Sequence, residues 1–177
     1  SGSSSKPITP QASAIIEGGT TIADNKATTV ITDSQMNKAI EAATEENKTN
    51  PIIGVELGEL TNKQAVEFDV SPEILSSIVN SNGTLELIAG EALFTFDNDA
   101  LATILKEANG ENITFSFSYA TNANISTETA KIVGDGLGFE FTVIAGDKII
   151  HDFRGNVKIK VPYSAGYSEN YNRIVVY

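Results

Sequence analysis

The chain has no cysteine, no tryptophan, and only one histidine and one methionine in 177 residues. Lack of cysteine removes disulfides, thiolate metal sites and cysteine nucleophiles together. It does not fix the compartment: disulfides are rare in the cytosol, but exported chains without cysteine exist too. His151 is the one base available to a Ser–His–Asp triad, and neither Gly-x-Ser-x-Gly nor His-Glu-x-x-His occurs. Positive charge is scarce: 12 Lys and Arg, scattered singly, face 23 Asp and Glu for a net charge of −11. Phosphate backbones require clustered cations, so nucleic acid is not expected as a partner. The same charge repels an anionic membrane surface. No apolar run approaches the roughly 18 residues of a spanning helix, so membrane insertion is not expected either.

What the chain does have is a hydrophobic content of 41%, enough for one sizeable core, and an internal repeat. Thr32, Ser71 and Asp97 stand in register as helix N-caps. One residue before them are Ile31, Val70 and Phe96; four after are Met36, Leu75 and Leu101; eight after are Ile40, Val79 and Leu105. Each cap follows a β-branched or alternating run and precedes a helical stripe, so the frame predicts strand, helix, strand three times.

In the first unit Thr32-Asp-Ser-Gln35 is a capping-box pattern, and Pro51 forbids continuation of the helix. In the second, Ser71-Pro72-Glu73 combines a cap, a Pro at the first helical position and an early acid. Asn82-Gly83 and Asn109-Gly110 stop the second and third helices. Beyond them Phe139, Phe141 and Val143 alternate with polar residues, and Ala145-Gly146-Asp147-Lys148 turns the chain back. Val157–Val161 and Arg173–Tyr177 read as further strands, while Asn122–Asp135 reads as a loop or a short helix over Thr127–Val133.

These patterns predict an α+β fold in which repeated strand–helix–strand units pack helices on a mixed sheet, with an antiparallel β-rich closing part. The expected organisation is a single domain over 27–177, with units about 27–58, 65–90 and 92–120 and a closing part 121–177. Residues 1–26 mix Ser, Thr, Pro and Gly and read as a linker or cloning scar, with at most one edge strand near Ala14–Ile16.

Candidate chemistry is thin. His151 sits in Ile-Ile-His-Asp, where a solvent-facing position is the expectation. Two carboxylates suffice for glycoside hydrolysis, yet Glu67, Asp69, Asp97 and Asp99 fall at caps or outward strand positions. Asp97-Asn98-Asp99 clusters oxygen ligands but lacks the Gly and distant Glu of a calcium loop, and capping accounts for its acids. No metal and no cofactor is expected. Tyr163, Tyr167 and Tyr171 recur every four residues in the last loop, and exposed rings can stack on sugar faces. They are the candidate ligand-binding residues for a glycan, set against plain packing at a strand end.

Val-Glu-Phe-Asp-Val-Ser-Pro-Glu-Ile-Leu from Val66 and Ala-Leu-Phe-Thr-Phe-Asp-Asn-Asp-Ala-Leu from Ala92 resemble repeated segments of large Gram-positive surface proteins. Those proteins, clostridial and paenibacillar, often bear S-layer homology domains. Val157-Lys-Ile-Lys-Val-Pro-Tyr163 followed by Arg173-Ile-Val-Val-Tyr177 is similar to the closing Pro-Tyr hairpin of the same modules. The resemblance covers about residues 65–177, with Asp97-Asn98 where the third unit often has Leu-Pro. It implies a non-catalytic extracellular module of a cell-surface or S-layer-associated protein, a spacer or scaffold beside neighbouring domains of a longer chain. The alternative is a carbohydrate-binding module for cell-wall or plant polysaccharide, using the Tyr loop or a polar sheet face.

Overall fold

The computed structural model describes residues 9–121, 130–134, 137–161 and 174–176. The fold is α+β, with thirteen strands and three helices among the described residues. The opening strands are β1 (Ala14–Glu17), β2 (Gly19–Ala23) and β3 (Lys26–Val30). The first unit continues through α1 (Asp33–Glu46) and β4 (Ile52–Glu56). The second is β5 (Ala65–Val70), α2 (Pro72–Asn80) and β6 (Thr84–Ala89), and the third β7 (Ala92–Phe96), α3 (Asn98–Ala108) and β8 (Ile113–Thr121). The closing part holds β9 (Ala130–Gly134), β10 (Leu137–Ala145), β11 (Lys148–Ile150), β12 (Val157–Lys160) and β13 (Ile174–Val176).

Local chemistry explains the helices. Thr32 Oγ1 accepts from Gln35 N at 3.2 Å while Gln35 Oε1 accepts from Thr32 N at 2.9 Å, a complete capping box. Ser71 accepts from Ile74 N and Asp97 from Ala100 N, so each helix starts on an oxygen acceptor. Asn109, with φ 49°, ends α3 in the left-handed region that Asn tolerates better than most residues.

The strands divide between two mixed sheets. Sheet A has the order β1-β4-β6-β7-β12-β13, and sheet B the order β11-β10-β8-β5-β3-β2, with β9 pairing β10. Every unit gives one strand to each sheet. The first two units run from sheet B through the helix to sheet A, so β3 and β5 are parallel, as are β4 and β6. The third runs the other way, because β6 turns into antiparallel β7 through Gly90-Glu91, with Gly90 at φ 62°. That is the pattern of a type II′ hairpin, which needs glycine at its first central position. The three helices therefore line up across one end of a two-sheet sandwich, α1 beside α2 and α2 beside α3.

Alternation sends one side of the central strands of both sheets into a shared core, while β2 is exposed along its whole length. Phe94 of sheet A stacks on Phe117 of sheet B with ring centroids 3.8 Å apart, and Phe96 meets Phe115 edge-on at 5.0 Å. Leu75, Leu101 and Ile104 from the helices close the end of this core with no exposed surface.

Two readings of the sequence are corrected. Residues 14–23 are not linker: β1 pairs β4 in sheet A, and after Gly18 the chain continues as β2 on β3 in sheet B. One segment thus seals an edge of the sandwich by changing sheets. A Cβ at Gly18 would stand 2.6 Å from Val30 O and from Thr29 Cγ2, so only glycine permits the crossing. Ser, Thr and Gly composition misled because these residues serve an edge strand as well as a linker. Second, residues 130–134 form β9, antiparallel to β10, rather than loop or helix.

Candidate functional site

The outward side of sheet B is the surface closest to the polar sheet face expected for a glycan. Thr21, Thr28, Glu67, Ser116 and Thr142 lie in register across five strands. At about 4.8 Å between strands the row is roughly 19 Å wide. A second row carries Val30, Asp69, Thr114 and Ile144. The side chains from β5, β8 and β10 are half-buried by their neighbours, while Val30 on β3 is half exposed.

Glu67 and Asp69 on this face are engaged. Thr114 Oγ1 donates to Asp69 Oδ1 at 2.6 Å, and Ser116 Oγ lies 3.5 Å from Glu67 Oε1. Lys26 Nζ is 3.2 Å from the same Glu67 oxygen. Glu67 and Asp69 both point outward because they alternate with Val66, Phe68 and Val70, which are in the core. The face offers paired hydroxyls and carboxylates, which can accept and donate hydrogen bonds to a polar chain laid across it.

The outward side of sheet A differs. Residues leading into β1 cover part of it as a strap, Gln11 over Glu86 of β6 and Ala12 over Gly54 of β4, before Ser13 N donates to Ile52 O. Beneath them Glu86, only 2% exposed, accepts from Gln11 N with both oxygens, at 3.0 and 3.1 Å. Burial pushes its carboxyl above the usual carboxylate range, while the Gln11 amide and the Lys160 ammonium pull it back. Glu86 was not singled out from the sequence. Its signal was available, an acid between Leu85 and Leu87 in an otherwise apolar strand.

Asp97 and its neighbours serve the fold. Asp97 Oδ1 caps α3, and its Oδ2 accepts from the Asn156 amide at 2.9 Å and the Asn156 side chain at 3.0 Å. Asn98 donates to Val79 O and Gly83 O, tying the start of α3 to the end of α2. Gly155 lies against this cap, where a Cβ would stand 2.3 Å from Ala100 N. His151 follows β11 in an exposed loop. Tyr163, Tyr167 and Tyr171 lie outside the described residues.

A groove between α1 and α2, lined by Asp33, Met36, Asn37, Glu73, Ile74 and Ser77, has a volume of about 140 Å³. Small-molecule pockets start near ~300 Å³, so this one is too small for more than a few atoms. Among the described residues no group of three or more His, Asp or Glu is placed to hold a metal ion. No described helix is long and apolar enough to cross a membrane. No protein-family model, curated protein or solved structure matches this chain.

Proposed function

We propose that this chain is a non-catalytic extracellular module of a bacterial cell-surface or S-layer-associated protein, acting as a structural spacer or scaffold. The observation that carries the reading is the use made of its acids. Asp97 locks a loop to a helix cap, Glu86 holds the strap, and Glu67 and Asp69 bind neighbours on their own sheet. A hydrolytic pair would instead present one carboxyl as acid and the other as base or nucleophile across a bound sugar. Resemblance of the repeat units and the closing strands to Gram-positive surface modules supplies the compartment and the neighbouring domains.

A second reading, binding of cell-wall or plant polysaccharide, is favoured by one observation: the register of hydroxyl and carboxylate side chains across the outward side of sheet B. One experiment separates the two. The purified chain is sedimented with cellulose, xylan, chitin and Gram-positive cell-wall sacculi, and the supernatants are assayed for released reducing ends. The scaffold reading expects the protein in every supernatant and no sugar release. Retention on one polymer that the double substitution Glu67→Gln, Asp69→Asn abolishes would replace it with the binding reading. Sugar release above the protein-free blank would overturn both.

A further inference from the structure

We infer that Asn109 is a site of spontaneous covalent modification, deamidation through a succinimide, and that Asn82 is protected from the same reaction by the fold. The chain has two Asn-Gly pairs, each ending a helix with the Asn at positive φ. In this reaction the backbone nitrogen of the following residue attacks the Asn Cγ, so the next residue decides the rate. Glycine leaves that nitrogen least hindered. As the new C–N bond forms, the Cγ–Nδ2 bond breaks and ammonia departs with the proton lost from the backbone nitrogen. Water then opens the five-membered ring at either carbonyl, giving aspartate or isoaspartate. The net change is one water consumed and one ammonia released, with no oxidant and no cofactor.

The two pairs differ in what must be undone first. Gly83 is buried, and its N–H donates to Ile78 O at 2.9 Å. The Asn82 carboxamide donates to Thr49 O at 2.5 Å, which fixes the electrophile as well. A Cβ at Gly83 would stand 2.9 Å from Ile78 Cγ2, so the backbone there has no room to swing. At the other pair both residues are exposed, and beyond Gly110 and its two chain neighbours no heavy atom lies within 4 Å of the place a Gly110 Cβ would occupy. The neighbouring amides are engaged, Asn109 N with Lys106 O at 3.3 Å and Glu111 N with Ala108 O at 3.0 Å. The Gly110 N–H itself has no backbone acceptor among the described residues. Each of the two bonds that hold Asn82-Gly83 shifts its opening equilibrium by a factor of roughly five, so together they slow it by roughly twenty-fivefold.

The product also changes the helix. A carboxylate at position 109 stands at the C-terminal end of α3, where the helix dipole disfavours negative charge, with Glu107 and Glu111 close in sequence. An isoaspartyl link adds a methylene to the main chain in the residue that makes the left-handed cap.

Incubating the folded protein in heavy-oxygen water at mildly alkaline pH, then mapping peptides by mass spectrometry, reads the reaction directly. Label at position 109 should accumulate more than about tenfold faster than at position 82. In the urea-unfolded chain the two should label at similar rates, and Asn109→Gln should remove the label from its own peptide alone. Equal labelling of both sites in the folded protein would overturn the proposal. So would no label at position 109 over a period in which the unfolded chain labels both.

Discussion

The outward side of sheet A carries an acid at 2% exposure beneath a strap, whereas that of sheet B leaves its acids half-buried and paired to hydroxyls. Both arise from the same period-two alternation on strands that follow the same repeat. The difference lies in what crosses over them. On sheet A, Gly54 clears a path for residues 9–13: a Cβ there would stand 2.9 Å from Ala12 Cβ and 3.2 Å from Ile15 Cγ1. At the centre of sheet B, β5 and β8 pair Glu67 with Ser116 and contain no glycine. The missing Cβ at Gly54 lets the strap cover β4 and β6, while the polar row of sheet B stays partly open to solvent.

The largest effect should come from breaking the seal. Gly54→Val places branched carbons in the path of the strap and should cost about 1–3 kcal/mol of unfolding free energy. Equilibrium urea unfolding measures the loss, and faster proteolysis within residues 9–13 should accompany it. A smaller effect is expected from Thr114→Val, which leaves Asp69 without its hydroxyl partner on a half-solvated face; about 1 kcal/mol is the expected cost. If Thr114→Val destabilised as much as Gly54→Val, the contrast between the two faces would fail.

Glu86 sharpens the comparison through pH. Its carboxyl is held above the unfolded value by burial, so the folded state binds its proton more tightly. The stability this group contributes is fully present below the unfolded carboxyl range and is lost as pH rises through the raised folded value. Glu86→Gln keeps an oxygen for the Gln11 amide and removes the charge. Its unfolding midpoint should match the parent in acid and exceed it at neutral pH, the gap widening as pH rises. A gap that narrowed with rising pH would show that the buried charge is net stabilising. The smallest effect should be at the exposed pair Lys148–Glu107, 2.5 Å apart, where the ammonium holds the Glu107 carboxyl below its usual range. Lys148→Ala should leave the midpoint at neutral pH within error, because solvent screens such pairs.

Much of the local structure was legible in the sequence, for a physical reason. Caps, stops and alternation act over a few residues, so Thr32, Ser71 and Asp97 started helices where expected, and Asn82 and Asn109 took the left-handed conformation. The division of strands between two sheets was not legible, because Val70 and Leu85 look alike whether the helix between them returns to the same sheet or crosses to another. The strap was hidden for a related reason: its order rests on Gly54 and Glu86, more than 40 positions downstream. The outward side of sheet B was half legible. Alternation pointed Glu67 and Asp69 outward, but their partners Ser116 and Thr114 sit on β8, paired through long-range register.

The most direct test of the scaffold account is hydrogen exchange on the chain alone and with a soluble preparation of Gram-positive wall glycan. The account predicts the same protection in β3, β5, β8 and β10 in both samples. Slower exchange confined to those strands when the glycan is present would contradict it and make the outward side of sheet B a binding surface.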